Sequence, residues 1–394
     1  MSKKLVKKTS KEESKQKNDT EIKVIENNPI DGSFNNYLVL SFKGTNIDNV
    51  IMNTLRRTIM ELVPTYAFDK SDINITKNTS VYNNDQMILR ISYFPVIGIE
   101  NNKDNIKRSA ELEYEASLSK FEKKIEDLTI LEQKEIAEKA EKSQNLIMSV
   151  EAKNLSNNIL NVTTNSPYVK FYYKSKAIES PYKKELLIIK LKAGEEFICN
   201  ATSSIGIGLK NSNFMPNTVC VFSEPNENVP YYLFNIESNS QMLEKDIILR
   251  ACSIIDIKLN NLLSVMTTKI SEYKSEKIID EYTFEKQKEL TESESVTESA
   301  IRNSSENALE QHRIKGLIKI ENESHTYGNL ISHIMQDHPA IIFAGYKIDH
   351  PLIKELTIGY KTDGTDIIDI LTEVITKIRD IFNNIYVKID ALVI

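Results

Sequence analysis

One helical signature occurs twice in this 394-residue chain, in two versions about 275 residues apart. Residues 46–64 read NIDNVIMNTLRRTIMELVP, and residues 322–339 read NESHTYGNLISHIMQDHP. In each, an Asn (Asn53, Asn329) opens an apolar helix that a proline closes about ten residues later, since proline cannot continue the backbone ladder. Each half also ends in a second long amphipathic helix. An amphipathic helix must bury its stripe against another element. Two similar halves of unequal size, each offering two such helices, therefore suggest a pair of subunits written as one chain.

The spacing supports this reading in both halves. Ile47, Val50, Ile51, Leu55, Ile59 and Leu62 recur every three or four residues and form one stripe, with Arg56 opposite to it. A strand is predicted at NYLVLSFKG, and ordered structure is expected to begin at Phe34. Residues 1–33, rich in Lys, Ser and Asn, read as a disordered tail. Short strands are predicted at 73–81 and 87–99, at 168–173 and 186–191, within 203–222, and at 231–236. A long helix is predicted over 241–270, buried through Leu243, Ile247, Ala251, Ile254, Leu262, Met266 and Ile270. Residues 108–145 are dense in Glu and Lys and read as a charged helical insertion. Residues 271–312 are acidic and Ser/Thr-rich and read as a flexible linker. A coil of about 40 residues spans roughly 35 Å, enough to join two halves docked side by side. Beyond it the pattern predicts strand, helix 326–337, two strands, and helix 366–383 with a stripe of Ile367, Ile370, Leu371, Val374, Ile378 and Phe382. The second half is thus a small α+β unit with two helices against one sheet.

Charge and composition exclude several functions. A net charge of −6 and a pI of about 5.7 argue against a protein that grips nucleic acid through its own basic surface. The three cysteines, Cys199, Cys220 and Cys252, are scattered without CxxC spacing, unlike a cysteine-rich metal module. No apolar run approaches the roughly 20 residues that span a bilayer, and the N-terminus lacks a signal-peptide core. A soluble intracellular protein is expected.

Candidate chemistry is sparse. All five histidines (His312, His325, His333, His338, His350) lie in the last 83 residues, but no HExxH occurs and their spacing spreads them over different faces. His325 reads as opening a helix, while His338 and His350 each precede a proline in a turn. The GIGLK at 206–210 lacks the GK[ST] ending of a phosphate loop, and Ser203 and Ser204 have no nucleophile-elbow context. No catalytic constellation emerges, which leaves protein binding. Arg56 and Arg57 flank a helix whose apolar face is already committed, and so offer a second surface to a partner.

At this point the residues resemble a family. NVIMNTLRRTIMELVPTYAFD, followed by NTSVYNNDQMILRISYFPV, resembles the N-terminal domain of alpha-type subunits of multisubunit DNA-dependent RNA polymerase: the bacterial alpha, the archaeal D and the third-largest subunit of eukaryotic polymerase II. The family pattern of Asn-x-Leu-Arg-Arg, Val-Pro, Asn-Thr-Ser and an Arg ahead of a Pro-ended strand is met by Asn53, Leu55, Arg56, Arg57, Val63, Pro64, Asn78, Thr79, Ser80, Arg90 and Pro95. GIGLKNSNFMPNTVCVF resembles a further family segment, with Phe214 in place of its Trp. The tail resembles the small partner, archaeal L or the eleventh subunit of polymerase II, through ENESHTYGNLISHIM and FAGYKIDHPL.

The resemblance implies an α+β fold with two alpha-NTD-like dimerisation domains forming an intramolecular pseudo-heterodimer. The first is discontinuous (34–66 and 230–270), around a mainly β insert domain (67–229) that carries the helical insertion; the second is L-type (313–394). Dimerisation is expected through Asn53, Leu55, Ile59, Leu62, Ile254 and Leu262 with His325, Thr326, Asn329, Leu330, Ile334, Leu371, Val374 and Ile378. Arg56, Arg57, Asn78, Ser80 and Arg90 are expected to meet a large subunit. The implied function is a noncatalytic assembly platform for the beta-like and beta′-like catalytic subunits, with small tenth- and twelfth-type adaptors nearby. No cofactor, no sequence-specific nucleic-acid contact and no membrane is implied.

Two departures matter. Many D-type and third-subunit-type members carry a cysteine cluster after the strand ending at Pro95. Here the charged insertion stands in its place, so a zinc or iron–sulfur centre is expected to be absent. The second departure is the fusion itself, a form associated with large nucleocytoplasmic DNA viruses; abundant Asn, Ile and Lys is compatible with that source. A viral origin would imply the host cytoplasm and the virion. Two other readings compete: a metal enzyme built on the C-terminal histidines, and an interaction scaffold outside transcription built on the 108–145 helix.

Overall fold

The computed structural model describes residues 20–28, 36–99, 103–113, 145–224, 231–275, 314–350 and 355–393. The tail to residue 19, the charged insertion from 114 to 144, the linker from 276 to 313 and His312 lie outside the described residues. The chain divides into two units. The first takes the residues up to Asp48, Leu55–Ile254 and Asn384–Ile394, and the second takes Asn49–Thr54 and Ile255–Asn383. Each unit thus contains chain from both sequence halves.

In the first unit, strands β1 (Glu21–Asn28), β2 (Tyr37–Lys43), β10 (Asn217–Ser223) and β11 (Tyr231–Ser238) form an antiparallel sheet in the order β1-β2-β11-β10. Leu38, Leu40 and Phe42 alternate along β2 and are fully buried, as period-two patterning requires. β1 is a departure from expectation. Residues 21–28, assigned to a disordered tail, pair with β2 in register from Glu21↔Lys43 to Asn28↔Tyr37. Ile22 fills a core position there, and the edge of β2 gains a neighbour.

The insert is built on β3 (Thr65–Asn78), β4 (Leu146–Lys153), β6 (Val169–Tyr173), β7 (Lys176–Ile178) and β9 (Glu196–Gly206), ordered β3-β9-β4-β6-β7, with β5 (Leu160–Thr163) and β8 (Leu187–Leu191) as a separate pair. Leu146, Met148, Val150 and Ala152 on β4 share one core with Phe197, Cys199 and Ala201 on β9. Each large apolar side chain buried in this way stabilises by about 1.5–3 kcal/mol. Phe171 packs at a tilt against Tyr182, ring centroids 5.7 Å apart, and the Tyr182 hydroxyl donates to the Pro95 carbonyl at 2.8 Å.

The segment 87–99, expected as a strand, instead begins within helix α2 (Asn84–Ser92), numbered after α1 (Asn49–Leu62). A capping box explains this: Asn83 accepts from the Gln86 N–H, and the Gln86 side chain accepts from the Asn83 N–H. Met87 and Ile91, four residues apart, are its buried apolar positions.

Two hydrogen bonds finish α1. The Ser109 hydroxyl donates to the Leu62 carbonyl at 2.9 Å, and the Leu209 N–H donates to the Glu61 carbonyl at 3.0 Å. Both satisfy carbonyls that a helix end leaves open. The Gly-containing loop is therefore a helix stop; a Cβ at Gly208 would lie 1.9 Å from the Met60 carbonyl oxygen. Asn53, expected to open α1, sits one turn inside it, as Asn329 does in the later helix.

The second unit has a three-stranded sheet, ordered β12-β14-β13, from β12 (Ile314–Glu321), β13 (Ile341–Ile348) and β14 (Glu355–Thr362). Leu356 and Ile358 are fully buried on one sheet face. Helix α4 (His325–Gln336) packs there closely enough that a Cβ on Gly328 would meet Leu356 Cδ1 at 2.5 Å. The unit also holds residues 255–275 of α3 (Glu244–Ser275) and most of α5 (Ile367–Asp390). In this part of α3, Ile255, Leu259, Leu262, Met266 and Ile270 are buried, a stripe of threes and fours. Among the described residues no helix is long and apolar enough to cross a membrane.

Candidate subunit interface

In the second unit, α3 of the larger half lies against elements of the smaller half. Lys258 Nζ stands 3.3 Å from Glu323 Oε1, with only 11% and 9% of the two side chains exposed. The same ammonium sits 4.6 Å from the Tyr327 ring centroid, a cation–π arrangement strengthened by low exposure. Two residues earlier, Asp256 Oδ1 accepts from Arg379 Nε of α5 at 2.6 Å, and this pair holds the guanidinium pKa above its usual value. Further along, Lys269 donates to the Lys319 carbonyl on the open edge of β12 at 3.1 Å.

The first unit shows the complementary arrangement at the other end of α5. Lys245 Nζ donates to the Asp390 and Leu392 carbonyls at 2.8 and 2.6 Å. Lys388 in turn donates to the Thr20 carbonyl, and Asn384 Nδ2 to the Thr20 hydroxyl at 3.4 Å. A lysine on the last carbonyls of a helix also opposes its negative dipole end. The start of α3 is fixed by a buried network. Glu244, 3% exposed, accepts from the Ser238 N–H and from the amide of Asn36. Gln241 pairs with the N–H and carbonyl of Tyr66 at 3.0 and 2.8 Å and reaches the Val96 carbonyl at 2.8 Å. Buried Arg250 has its pKa lowered by loss of solvent, with Asp246 opposing that change.

Of the residues expected in dimerisation, Leu55, Ile59, Leu62 and Ile254 are buried in the first unit. Leu262, Thr326, Leu330, Ile334, Leu371, Val374 and Ile378 are buried in the second, where Asn53 and Asn329 are half-buried. His325 differs: it is exposed and packs edge-on against Tyr346 at 5.8 Å, within its own half. Sequence reading missed Asp256, Lys258, Arg379 and Lys245. Glu323 stood in the quoted ENESHT motif, but nothing local to a sequence pairs it with a lysine 65 positions away.

The residues expected to meet a large subunit fall into two groups. Arg56 and Arg57 are half-buried on α1, with Arg56 Nη1 3.4 Å from Met60 Sδ and Arg57 paired with Glu61 at 2.5 Å. The other three are engaged internally. Arg90, on α2 and not ahead of a strand, donates from Nε and Nη2 to the Leu187 carbonyl at 3.2 and 2.8 Å, tying α2 to β8. Asn78 accepts from the Ser80 N–H and hydroxyl while donating to the Tyr82 carbonyl at 2.8 Å and to Asn84. This is an Asx-type turn leading into α2. The turn and helix leave Val81, Tyr82, Leu89 and Tyr93 exposed.

Burial pushes the thiols of Cys199, Cys220 and Cys252 up to about 12, with the Arg56 charge opposing the rise at Cys220. The three stand on separate elements, β9, β10 and α3. Among the described residues no group of three metal-ligating side chains converges. His338 hydrogen-bonds Glu373 at 3.0 Å and accepts from the Ala340 N–H, closing a turn.

The fold can be set beside known proteins. The RNA polymerase Rpb3/Rpb11 dimerisation domain matches residues 41–259 and again residues 316–387. A DNA directed RNA polymerase subunit of Acanthamoeba polyphaga mimivirus is 24% identical over 359 residues, covering 88% of this chain and 89% of the relative. The DNA-directed RNA polymerase RPB3-11 homolog of African swine fever virus is 32% identical over 88 residues, 22% of this chain and 24% of its own. Subunit Rpo11 of Metallosphaera sedula is 41% identical over 68 residues, 17% of this chain and 68% of its own. With one match spanning more than half of the chain and a second following it, this protein belongs to the Rpb3/Rpb11 family of noncatalytic RNA polymerase subunits, as a fused, virus-like member carrying the dimerisation domain twice.

Proposed function

We propose that the two halves pair within one molecule as an intramolecular pseudo-heterodimer. The pair serves as the platform on which beta-like and beta′-like catalytic subunits assemble for DNA-templated transcription, with small tenth- and twelfth-type adaptors alongside. The observation that carries this reading is the contact of Lys258, on the last helix of the larger half, with Glu323 and Tyr327 of the smaller half. Covalent fusion makes that pairing intramolecular, at roughly millimolar effective concentration, and fixes a one-to-one ratio of the two domain types.

The large-subunit face is Arg56 and Arg57 together with the exposed apolar side chains of the α2 region. Leu89 on α2 and Tyr93 at its C-terminal cap, 45% and 58% exposed, are four residues apart, with Val81 and Tyr82 in the turn before the helix. A polar rim beside exposed aromatic and aliphatic groups is the composition of a protein-binding patch. Asn78, Ser80 and Arg90 are positioning residues in this scheme, since they hold the turn and the helix. The viral relatives support a site of action inside the host cell, and packaging into the virion is the further localisation that this proposal carries.

Affinity purification of the tagged chain from its native cell, with mass spectrometry of the eluate, tests the proposal. Two very large subunits, small adaptors and RNA synthesis in the eluate are expected. Recovery without large subunits would favour an interaction scaffold outside transcription.

A further inference from the structure

The sheet of the second unit has its inner face on helices, and its outer face carries an arrangement that folding does not explain. Strand register sets three outer residues side by side in each row: Lys315, Lys361 and Phe343, then Leu317, Gly359 and Gly345, then Lys319, Thr357 and Lys347. Lys319 is paired with Glu355 at 2.9 Å and Lys347 with Asp349 at 2.8 Å. Lys315 and Lys361 stand directly opposite each other, and among the described residues neither has an acidic partner. Like charges directly opposite on a sheet are destabilising. Beside them Leu317 and Phe343 are 56% and 59% exposed, and they lean over the two facing glycines. Thr357, 2% exposed, has a hydroxyl without a hydrogen-bond partner.

Unpaired cations flanked by exposed aliphatic and aromatic groups fit an acidic peptide segment that carries apolar residues. Nucleic acid fits less well, because the face has one aromatic ring and no arginine. We propose that this face is a docking surface and that its occupant is the chain's own segment 289–298. That segment reads ELTESESVTE, with four glutamates, no Lys or Arg, and Leu290 and Val296 among them. It leads into β12 through residues 299–313, and a coil of that length has a root-mean-square span of about 20–23 Å. The face is about 26 Å long and 10 Å wide, so the tether reaches it. Docking neutralises the Lys315–Lys361 row and covers Leu317 and Phe343.

The test is amine-acetylation footprinting of the full chain at low salt, read by mass spectrometry, against a variant with Glu289, Glu292, Glu294 and Glu298 each changed to Gln. For a segment of about millimolar intrinsic affinity at millimolar effective concentration, the face is half occupied, so Lys315 and Lys361 should label about twofold more slowly in the native chain. That difference should close at high salt, while exposed Lys170 in the other unit labels equally in both chains. A second arm uses Lys315→Ser with Lys361→Ser, in which glutamyl-endopeptidase cleavage within 289–298 should speed up by a similar factor. Equal labelling in both chains, or unchanged cleavage, overturns the proposal. Protection that appears only on adding a single-stranded oligonucleotide or a separate acidic protein also overturns it, by identifying another occupant. Both arms use the chain alone, so their failure leaves the polymerase reading untouched.

Discussion

Replacing Lys258 tests how much of the second unit's stability rests on one buried ion pair between the halves. At 3.3 Å from Glu323, the attraction between the two charges is about 5 kcal/mol at an effective dielectric constant of 20. Desolvation removes several kcal/mol of that gain. The Tyr327 ring beneath the ammonium returns about 1 kcal/mol, leaving a net contribution of about 2 kcal/mol, whereas the coupling read by a double-mutant cycle, in which the desolvation of each ion cancels, should approach the direct attraction. Lys258→Ala alone should cost more, about 3–5 kcal/mol, because the buried Glu323 carboxylate loses the opposing charge 3.3 Å away. Lys258→Met combined with Glu323→Leu should be far milder than either truncation. The Asp256–Arg379 pair is the internal control. Its side chains are 43% and 39% exposed, so its coupling should stay within about 1 kcal/mol and fade with salt. Urea denaturation of the four members of each double-mutant cycle, followed by circular dichroism, measures both couplings. Equal couplings for the two pairs, or a Lys258→Ala cost below about 1 kcal/mol, would refute the reasoning.

Three further outcomes are expected. Arg56→Glu with Arg57→Glu should leave the chain folded by circular dichroism yet abolish recovery of large subunits, whereas Leu55→Asp should unfold it, since an unpaired buried charge costs several kcal/mol. Gly208→Val should destabilise by roughly 3 kcal/mol or more in thermal melts, because its Cβ would enter the space of the Met60 carbonyl oxygen. The three thiols should resist an aromatic disulfide reagent at pH 8 until urea exposes them. Their folded pKa values of about 12 exceed the ordinary 9.0, so the stability they contribute is fully present below pH 9 and is lost as pH rises toward 12. A pH-independent melting temperature over that range would contradict this.

Much of the architecture was legible in residue spacing. The stripe on α1, the strand NYLVLSFKG and the α4 and α5 helices lie close to their expected bounds, because threefold and fourfold apolar spacing is unambiguous over ten residues or more. α5 runs on to Asp390, since Ile385 and Ile389 continue its stripe. Two elements were misread for physical reasons. In MILRISYFPVIGI nearly every position is apolar or aromatic, so neither period stands out, and the capping pair Asn83 and Gln86 decides for helix. In EIKVIENN the alternation is clear, but it is set in a Lys- and Asn-rich tail, where composition outweighs five residues of pattern. The site was legible only as far as its apolar half. Leu330, Leu371 and Ile378 announce themselves by period, whereas the pairing of Lys258 with Glu323 is a property of the folded chain. Arg90 and Asn78 show the converse: polar residues that suggested a partner are consumed by a carbonyl of β8 and by a turn.

Cleavage of the intact chain at a protease site placed within 276–313, followed by gel filtration at moderate salt, tests the intramolecular pairing most directly. The account predicts that both fragments elute together as one species of the original size. Separate elution of the two halves would contradict it.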